Sequence, residues 1–155
     1  MIGMDTTQAA PAAGSTAPDA RRHRPSSLRE VAALAAVLGN IDGFLREFLD
    51  AYYTQDDPKR RTAMLAEEPQ MLESERANAY LAAVAEHLSR CDRMSQPRWP
   101  NEPTRFLKRP FFPAGLESLK AQLLIESPSA FRRRLIFVGA DPLYRPRKTS
   151  RGFTS

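Results

Sequence analysis

A proline-rich segment in the second half of the chain sets the strongest limit on its fold. Five of the 13 prolines lie between positions 97 and 113 of the 155-residue sequence. Because proline lacks an amide donor and biases the preceding residue towards extended geometry, no long helix can cross this segment. The same stretch contains large apolar side chains, namely Trp99, Phe106, Leu107, Phe111 and Phe112. We therefore expect an ordered strap, residues 97–113, that packs over a helical body and contains one helical turn near 104–108.

Amphipathic helical segments precede the strap. Ser27 and Glu30 fit a capping box, and the pair Gly39-Asn40 tolerates the left-handed backbone that ends a helix. Asp57-Pro58 combines a capping residue with a first-turn proline, which predicts another helix start. Apolar residues recur at helical spacing in four segments, which are 27–38, 42–55, 58–68 and 73–91. The short loops between them favour antiparallel packing around one core.

Two shorter helices and an extended run are predicted after the strap. An apolar-periodic helix follows Gly115 over 116–126, and Ser127-Pro128 predicts a capped helix over 129–134. Residues 135–138 are typical of extended structure. Because one such run cannot form a sheet alone, it should lie in the core or pair across a dimer. We also expect a last helical turn that starts at Asp141-Pro142.

The predicted fold is all-α, a single compact bundle of about six helices with an ordered proline- and aromatic-rich strap. Residues 1–25 contain almost no large apolar side chain and cannot offset the entropy of ordering, so they are predicted to be a disordered tail. The helical domain then covers 26–145, and 146–155 form a basic tail.

Charge is unevenly distributed along the chain. Residues 26–91 carry seven basic and eleven acidic side chains, whereas residues 92–155 carry thirteen basic and five acidic ones. A basic half attracts phosphate groups or an acidic protein face. It can also pair with the acidic half of the same chain or of a second copy, so composition alone leaves these readings open, and a homodimer is compatible with them.

Several classes of protein are disfavoured by the sequence. No apolar stretch approaches the ~18 residues of a membrane-spanning helix, and the start lacks the basic and apolar regions of a secretory signal. A single cysteine, Cys91, cannot form an internal disulfide. We therefore expect a soluble, cytoplasmic protein without membrane contact.

Catalytic and metal-binding signatures are also missing from the sequence. The two histidines are His23, in the predicted tail, and His87, on a predicted helix. Carboxylates near the loops have no histidine or cysteine at a spacing that would complete a tight metal site, and no glycine-rich phosphate loop occurs. We predict that the protein is not an enzyme and has no cofactor.

The candidate binding residues are basic or aromatic. Arg132, Arg133 and Arg134 are consecutive, so on a helix they point about 100° apart and cannot all face one surface. We expect one of them to pair with Glu126 or another carboxylate while the others stay free. Basic and aromatic residues alternate over 105–112, a pattern that fits strap anchors, a single-strand nucleic-acid surface or a protein interface. The predicted partner-binding set is Arg109, Phe111, Phe112, Arg132, Arg133, Arg134 and Arg145.

Several short motifs occur together in the C-terminal half. They are Phe106-Leu107, Arg109-Pro110-Phe111-Phe112, Gly115-Leu116, Glu126-Ser127-Pro128, Phe131-Arg132-Arg133-Arg134 and Ile136-Phe137-Val138. In this combination the chain resembles an uncharacterised bacterial family of small helical proteins, in which the position of Phe111 is more often tryptophan. The resemblance covers residues 99–145, extends more loosely over 41–91, and leaves out 1–25.

The resemblance implies an accessory or antitoxin-like role. Genes of that family often adjoin predicted nucleotidyltransferases, an arrangement similar to toxin–antitoxin pairs. We therefore expect a non-enzymatic interaction module that restrains a nucleotidyltransferase-like partner encoded by a neighbouring gene, with its arginines at an acidic, metal-binding cleft or its rim. The alternative is a nucleic-acid-binding regulator that uses the same basic half. A helix-turn-helix made from 116–126 and 129–134 would have a very short second helix for major-groove reading.

Overall fold

The computed structural model describes residues 24–113 and 120–146. These residues form six α-helices, which are α1 Leu28–Leu38, α2 Ile41–Thr54, α3 Pro58–Ala66, α4 Glu75–Cys91, α5 Lys120–Glu126 and α6 Ser129–Arg132. Within the described ranges the only β-type pairing is one parallel bridge between Phe111 and Ile136. The all-α prediction is confirmed. The predicted tails and the start of the fifth predicted helix lie largely outside the described residues, which nevertheless include Arg24 and the buried Pro25.

Capping fixes the start of α1 where the sequence predicts it, whereas α2 starts at Ile41, one residue before the predicted start, because Asn40 caps it. The Ser27 hydroxyl accepts a hydrogen bond from the Glu30 amide at 3.1 Å, while the Glu30 carboxylate accepts from the Ser26 amide at 2.6 Å. The carboxylate thus satisfies an amide one residue earlier than in the standard capping box. Gly39 ends α1 at a φ of 74°, and Asn40, at 58°, caps α2 through the Gly43 amide. Two residues in positive φ therefore reverse the chain between α1 and α2.

The core is organised around α4. This helix packs against α3, α6 and the strap, while α1 packs against α2 and α3. Small residues on α4 are fully buried and allow its neighbours to approach closely, namely Ala79, Ala82, Ala83 and Ala85. Larger core side chains come from the surrounding elements and include Leu28, Val31, Phe48, Tyr52, Leu65, Phe131 and Ile136. No helix in the described ranges is long and apolar enough to cross a membrane.

The strap lies against the bundle and contains two 3-10 turns, Trp99–Asn101 and Pro103–Arg105. The prediction of one turn near 104–108 was wrong in number, and only its first two residues fall in a turn, Pro103–Arg105. Each short turn has a proline in its first two positions, where the missing amide costs no helical hydrogen bond. The Trp99 indole is buried and donates a hydrogen bond of 2.9 Å to the Leu65 carbonyl near the end of α3. The strap therefore also satisfies a carbonyl that α3 leaves open.

The start of α6 differs from the prediction, because Ser127 does not cap this helix. The Ser127 hydroxyl donates to the Leu123 carbonyl at 2.5 Å and accepts from the Val138 amide at 2.9 Å, so it does not cap α6. Because the hydroxyl bonds groups on both sides of α6, it ties the end of α5 to the extended run that follows. The Asp141-Pro142 segment forms a turn with one 3.3 Å bond from the Tyr144 amide to the Asp141 carbonyl, rather than a helical turn.

The predicted extended run over 135–138 lies in the core and pairs with the strap, but it is extended only from Ile136, because Leu135 belongs to the turn after α6. The Phe111 amide donates to the Leu135 carbonyl at 2.8 Å, and the Phe137 amide donates to the Phe111 carbonyl at 2.9 Å. Ile136, between the two bonded positions, is completely buried. The run therefore finds its backbone partner within the chain, which accounts for its extended form without a sheet or a second copy.

Candidate functional site

Arg134 is inside the protein, although the sequence placed it in the partner-binding set. Its side chain has no exposed area. One terminal nitrogen, Nη1, donates to the Glu86 carboxylate at 2.6 Å and to the Ala130 carbonyl at 2.8 Å, and the other, Nη2, donates to the Pro100 carbonyl at 2.6 Å. The centre of the Phe106 ring lies 4.5 Å from its guanidinium carbon. Arg134 therefore clamps α4, α6 and the strap together and cannot contact a partner.

Glu86 is the buried carboxylate to which this part of the structure is anchored. It lies on α4 and binds Arg134, Arg133 and Arg90 at 2.6, 3.0 and 2.7 Å. Burial raises its pKa, but the hydrogen bond and charge of Arg134, followed by the charges of Arg133 and Arg90, hold the pKa below its ordinary value. One carboxylate thus faces three guanidinium groups. Among the described residues no second carboxylate bonds this cluster, so it carries excess positive charge.

The excess charge reaches the surface at two of these arginines. Arg90 and Arg133 keep 45% and 41% of their side-chain area exposed, and both bond the same oxygen of Glu86, Oε2. Arg90 also donates to the Ser129 hydroxyl at 2.6 Å, and Arg133 reaches the Asn101 amide oxygen at 3.4 Å. These further acceptors are neutral. The two guanidinium groups are therefore held close together with their charges only partly compensated.

Arg132 extends this cationic surface towards α5. Its side chain is exposed and Nη1 lies 3.4 Å from the Ile125 carbonyl oxygen. Ile125 is itself 77% exposed, and the adjacent Leu124 is 46% exposed. Arginine is enriched at protein interfaces, where exposed aliphatic side chains such as these can be covered by a partner. We refer to the exposed residues near the C-terminal ends of α4, α5 and α6, namely Arg90, Leu124, Ile125, Arg132 and Arg133, as the basic–apolar face.

The aromatic members of the predicted set hold the strap in place. The Phe111 backbone forms the bridge to the extended run, and the Arg76 guanidinium carbon lies 4.3 Å from the centre of its ring. Phe112 stacks on Phe137 with ring centres 5.2 Å apart. Both phenylalanines are half-buried. Of the three interpretations of this segment, the contacts favour strap anchors.

The two remaining members of the set have different environments. Arg109 is exposed and forms no hydrogen bond or ion pair with a described residue. Arg145 forms a two-point ion pair with Asp50, from Nε to Oδ1 at 2.9 Å and from Nη2 to Oδ2 at 3.1 Å. The hydrogen bond to Asp50 raises the pKa of Arg145. Because this pair ties the end of the described chain to α2, Arg145 is satisfied internally.

Arg105 holds the strap against the bundle, a role that the sequence analysis missed. It is fully buried, and its Nη2 donates to the Pro69 carbonyl at 2.6 Å and to the Glu68 carboxylate at 3.2 Å. Its guanidinium carbon also lies 4.9 Å from the centre of a Trp99 ring. The arrangement parallels that of Arg134, since each guanidinium caps carbonyls from another segment and stacks on an aromatic ring of the strap. Alternation of basic and aromatic residues was the available signal, and here it marks internal stacking.

Among the described residues, Cys91 and His87 form the one thiol–imidazole pair. The Cys91 sulfur lies 3.6 Å from His87 Nε2 on the exposed side of α4. Partial burial raises the pKa of the thiol and lowers the pKa of the imidazole, so both shifts favour the neutral forms. An activated thiolate needs the opposite shifts. In the described ranges no group of three His, Cys, Asp or Glu side chains could hold a metal ion.

A cavity of about 480 Å³ lies beside the Arg145–Asp50 pair, and its lining includes Arg24, Tyr53 and Thr54. Burial, followed by the charges of Cys91, Asp141 and Asp92, raises the pKa of Tyr53 to about 12. Its hydroxyl donates to the Leu143 carbonyl at 3.0 Å. The phenol therefore stays protonated at neutral pH and serves as a structural donor.

Comparison with known proteins gives no assignment. No protein-family model, no curated protein and no solved structure matches this chain. The functional argument consequently depends on the geometry of the basic–apolar face.

Proposed function

We propose that this chain is a non-enzymatic protein-interaction module whose basic–apolar face binds and restrains an acidic protein partner. The partner that fits the sequence resemblance is a nucleotidyltransferase-like protein encoded by a neighbouring gene. Enzymes of that kind hold divalent metal with carboxylates, so their active clefts present negative charge. Guanidinium groups at the rim of such a cleft would block access to it.

The observation that carries the proposal is the combination of uncompensated charge with exposed aliphatic area. Arg90 and Arg133 share one buried carboxylate oxygen, and Arg132 lies beside the exposed Ile125. Charge complementarity steers the encounter of two proteins, whereas buried apolar and arginine contacts supply affinity. In this interpretation the affinity comes from Leu124 and Ile125 rather than from the strap aromatics, which are engaged in internal contacts.

Co-expression with the adjacent gene product tests the proposal. The test variant combines Arg132→Glu with Ile125→Ser, since both side chains are exposed and neither supports the core. The matched control combines Arg29→Glu with Val37→Ser on α1, where the arginine makes only an exposed ion pair and the valine is 80% exposed. We expect the wild type and the control to co-purify with the partner and the test variant to lose it. Retention by the test variant would contradict the proposal.

Nucleic-acid binding by the same cations is an alternative outcome with its own signature. Contacts to phosphate weaken steeply as salt rises because counterions are released on binding. A gel shift of DNA or RNA at low salt that disappears at higher salt and in the Arg132→Glu variant would favour a regulator over a protein-binding module. The protein-binding proposal expects no such shift from the full chain.

A further inference from the structure

We propose that Arg90, Arg133 and Ser129 form a binding site for a single oxyanion, and that its occupant is an acidic side chain of a protein partner. This inference depends on the proposed function only for the identity of the occupant. The site itself follows from the geometry around Glu86.

The first argument is the convergence of two positive groups. Nη2 of Arg90 and Nη1 of Arg133 lie 2.7 and 3.0 Å from the same carboxylate oxygen, Oε2 of Glu86. The other oxygen, Oε1, is occupied by the buried Arg134. Glu86 offsets only part of the repulsion between these like charges, because it also faces Arg134, so a further anion beside them would be attracted. Since both side chains are half-exposed, such an anion can approach from solvent.

The second argument is the set of donors that remain. Arg90 and Arg133 each keep an Nε–H group that bonds no described residue. The Ser129 hydroxyl accepts from Arg90 at 2.6 Å, which leaves its hydrogen to donate elsewhere, and the residue is exposed. These donors come from α4, from α6 and from the residue that follows α6. Because the shared Glu86 bonds already fix both guanidinium groups, an anion would be bound without ordering them.

The surroundings favour a carboxylate from a protein. Arg132, one residue from Arg133, reaches the backbone carbonyl of Ile125, whose side chain is exposed. An acidic side chain on a protein surface brings apolar neighbours that can cover this isoleucine, whereas a free phosphate or a nucleic-acid backbone does not. Charge-assisted hydrogen bonds from guanidinium to carboxylate would then define the register of the docked segment.

Titration of the full chain with defined probes tests the site. Arginine side-chain Nε–Hε signals in nitrogen-15 NMR spectra are followed during addition of a tetraglutamate peptide, of inorganic phosphate, and of sodium chloride at matched ionic strength. We expect saturable shifts of the Arg90 and Arg133 signals with tetraglutamate. The Arg90→Gln variant should bind at least about tenfold more weakly, while the Arg29→Gln control, at an exposed pair on α1, should bind like the wild type. Far-ultraviolet circular dichroism confirms that both variants fold.

Each other outcome would overturn part of the proposal. If no probe shifts the two signals beyond the chloride control, the oxyanion site is wrong. If phosphate shifts them and tetraglutamate does not, the carboxylate assignment is wrong. A silent titration together with partner loss in the Arg132→Glu/Ile125→Ser variant would reject the site and leave the proposed function standing. Saturable tetraglutamate binding without any co-purified partner would support the oxyanion site and reject the proposed function.

Discussion

Nη1 of Arg134 donates a hydrogen bond of 2.6 Å to Oε1 of Glu86, across 48 residues of sequence. Both side chains are completely buried. The bond joins the middle of α4 to the turn that follows α6, and the same guanidinium holds the strap through the Pro100 carbonyl. Three separately predicted parts of the fold therefore meet at one ion pair. Breaking that pair leaves a charge in the interior, which costs far more than the pair itself contributes.

Removal of the carboxylate should strongly destabilise the protein. In Glu86→Ala the buried Arg134 loses its counter-charge, so we expect the free energy of unfolding to fall by about 3–5 kcal/mol. Urea unfolding followed by circular dichroism measures this loss. Glu67→Ala, which removes only the exposed partner of Arg29, should change the same quantity by about 0–1 kcal/mol. Equal losses in the two variants would show that Glu86 does not anchor the fold.

The same carboxylate should make the free energy of unfolding depend on pH in the acid range. The folded state lowers the pKa of Glu86 below its ordinary value of 4.5. A carboxylate with a lowered pKa adds stability that is fully present above the ordinary value and is lost as pH falls through the folded value. The stability difference between the wild type and Glu86→Gln should therefore shrink between about pH 6 and about pH 3. Urea titrations at the two pH values check this, and a constant difference would contradict it.

The three adjacent arginines show what the sequence could and could not determine. The expectation that only one of them bonds a carboxylate was wrong, because Arg133 and Arg134 both bond Glu86. Helical geometry correctly excluded a common direction for all three. It could not show that Arg134 is the buried one, because that depends on the turn after α6. There Leu135 adopts a φ of 63°, and the Ile136 amide bonds the Phe131 carbonyl at 3.0 Å in a Schellman turn. Glycine normally marks such a turn, so a leucine there gives no local signal.

A second turn of this kind, at the end of α4, predicts a stabilising substitution. Arg93 has a φ of 54°, and the Met94 amide bonds the Ser89 carbonyl at 2.8 Å. Left-handed backbone costs a residue with a Cβ about 1–2 kcal/mol, which glycine avoids. Glycine also increases the entropy of the unfolded chain, and this offsets part of the gain. We therefore expect Arg93→Gly to raise the free energy of unfolding by about 0.5–1 kcal/mol. Arg93 is exposed, so no packing is lost. A loss of stability in urea titrations would refute the strain argument, and Arg93→Ala, which keeps a Cβ, should show no gain.

Arg105 should not tolerate replacement by lysine. Its Nη2 bonds the Pro69 carbonyl at 2.6 Å and its guanidinium packs on Trp99. A lysine ammonium lacks the planar group that bonds and stacks at once. If the buried Pro69 carbonyl is left unpaired, the cost is about 1–3 kcal/mol in the free energy of unfolding. Chemical unfolding of Arg105→Lys measures this cost. The control is Arg109→Lys, at an exposed strap position, which should be neutral.

Of the possible partners for the basic half, the structure shows carboxylates of the acidic half of the same chain. Arg133, Arg134 and Arg145 all bond carboxylates of the acidic half, at Glu86 and Asp50. The net charge of a segment gives only the excess of basic over acidic side chains. Which basic side chains remain exposed depends on the fold. For this reason the sequence identified Arg132 and Arg133 as surface residues together with others that the interior uses. It also missed Arg90, which lies in the acidic half and completes the cluster only in three dimensions.

The strap should unfold together with the helices rather than before them. Trp99 is the only tryptophan of the chain, it is buried, and its indole bonds the end of α3. Its fluorescence therefore reports on the strap, whereas far-ultraviolet circular dichroism reports on the helices. Because Arg105 ties the strap to the segment before α4 and Arg134 ties it to the middle of α4, we expect the two urea transitions to share one midpoint, as a two-state domain requires. Trp99→Phe, which keeps an aromatic ring and loses the indole donor, should lower the helical midpoint as well. A fluorescence transition at clearly lower urea than the helical one would mean that the strap is a separable cover, and would remove the physical basis for placing Arg134 at the centre of the fold.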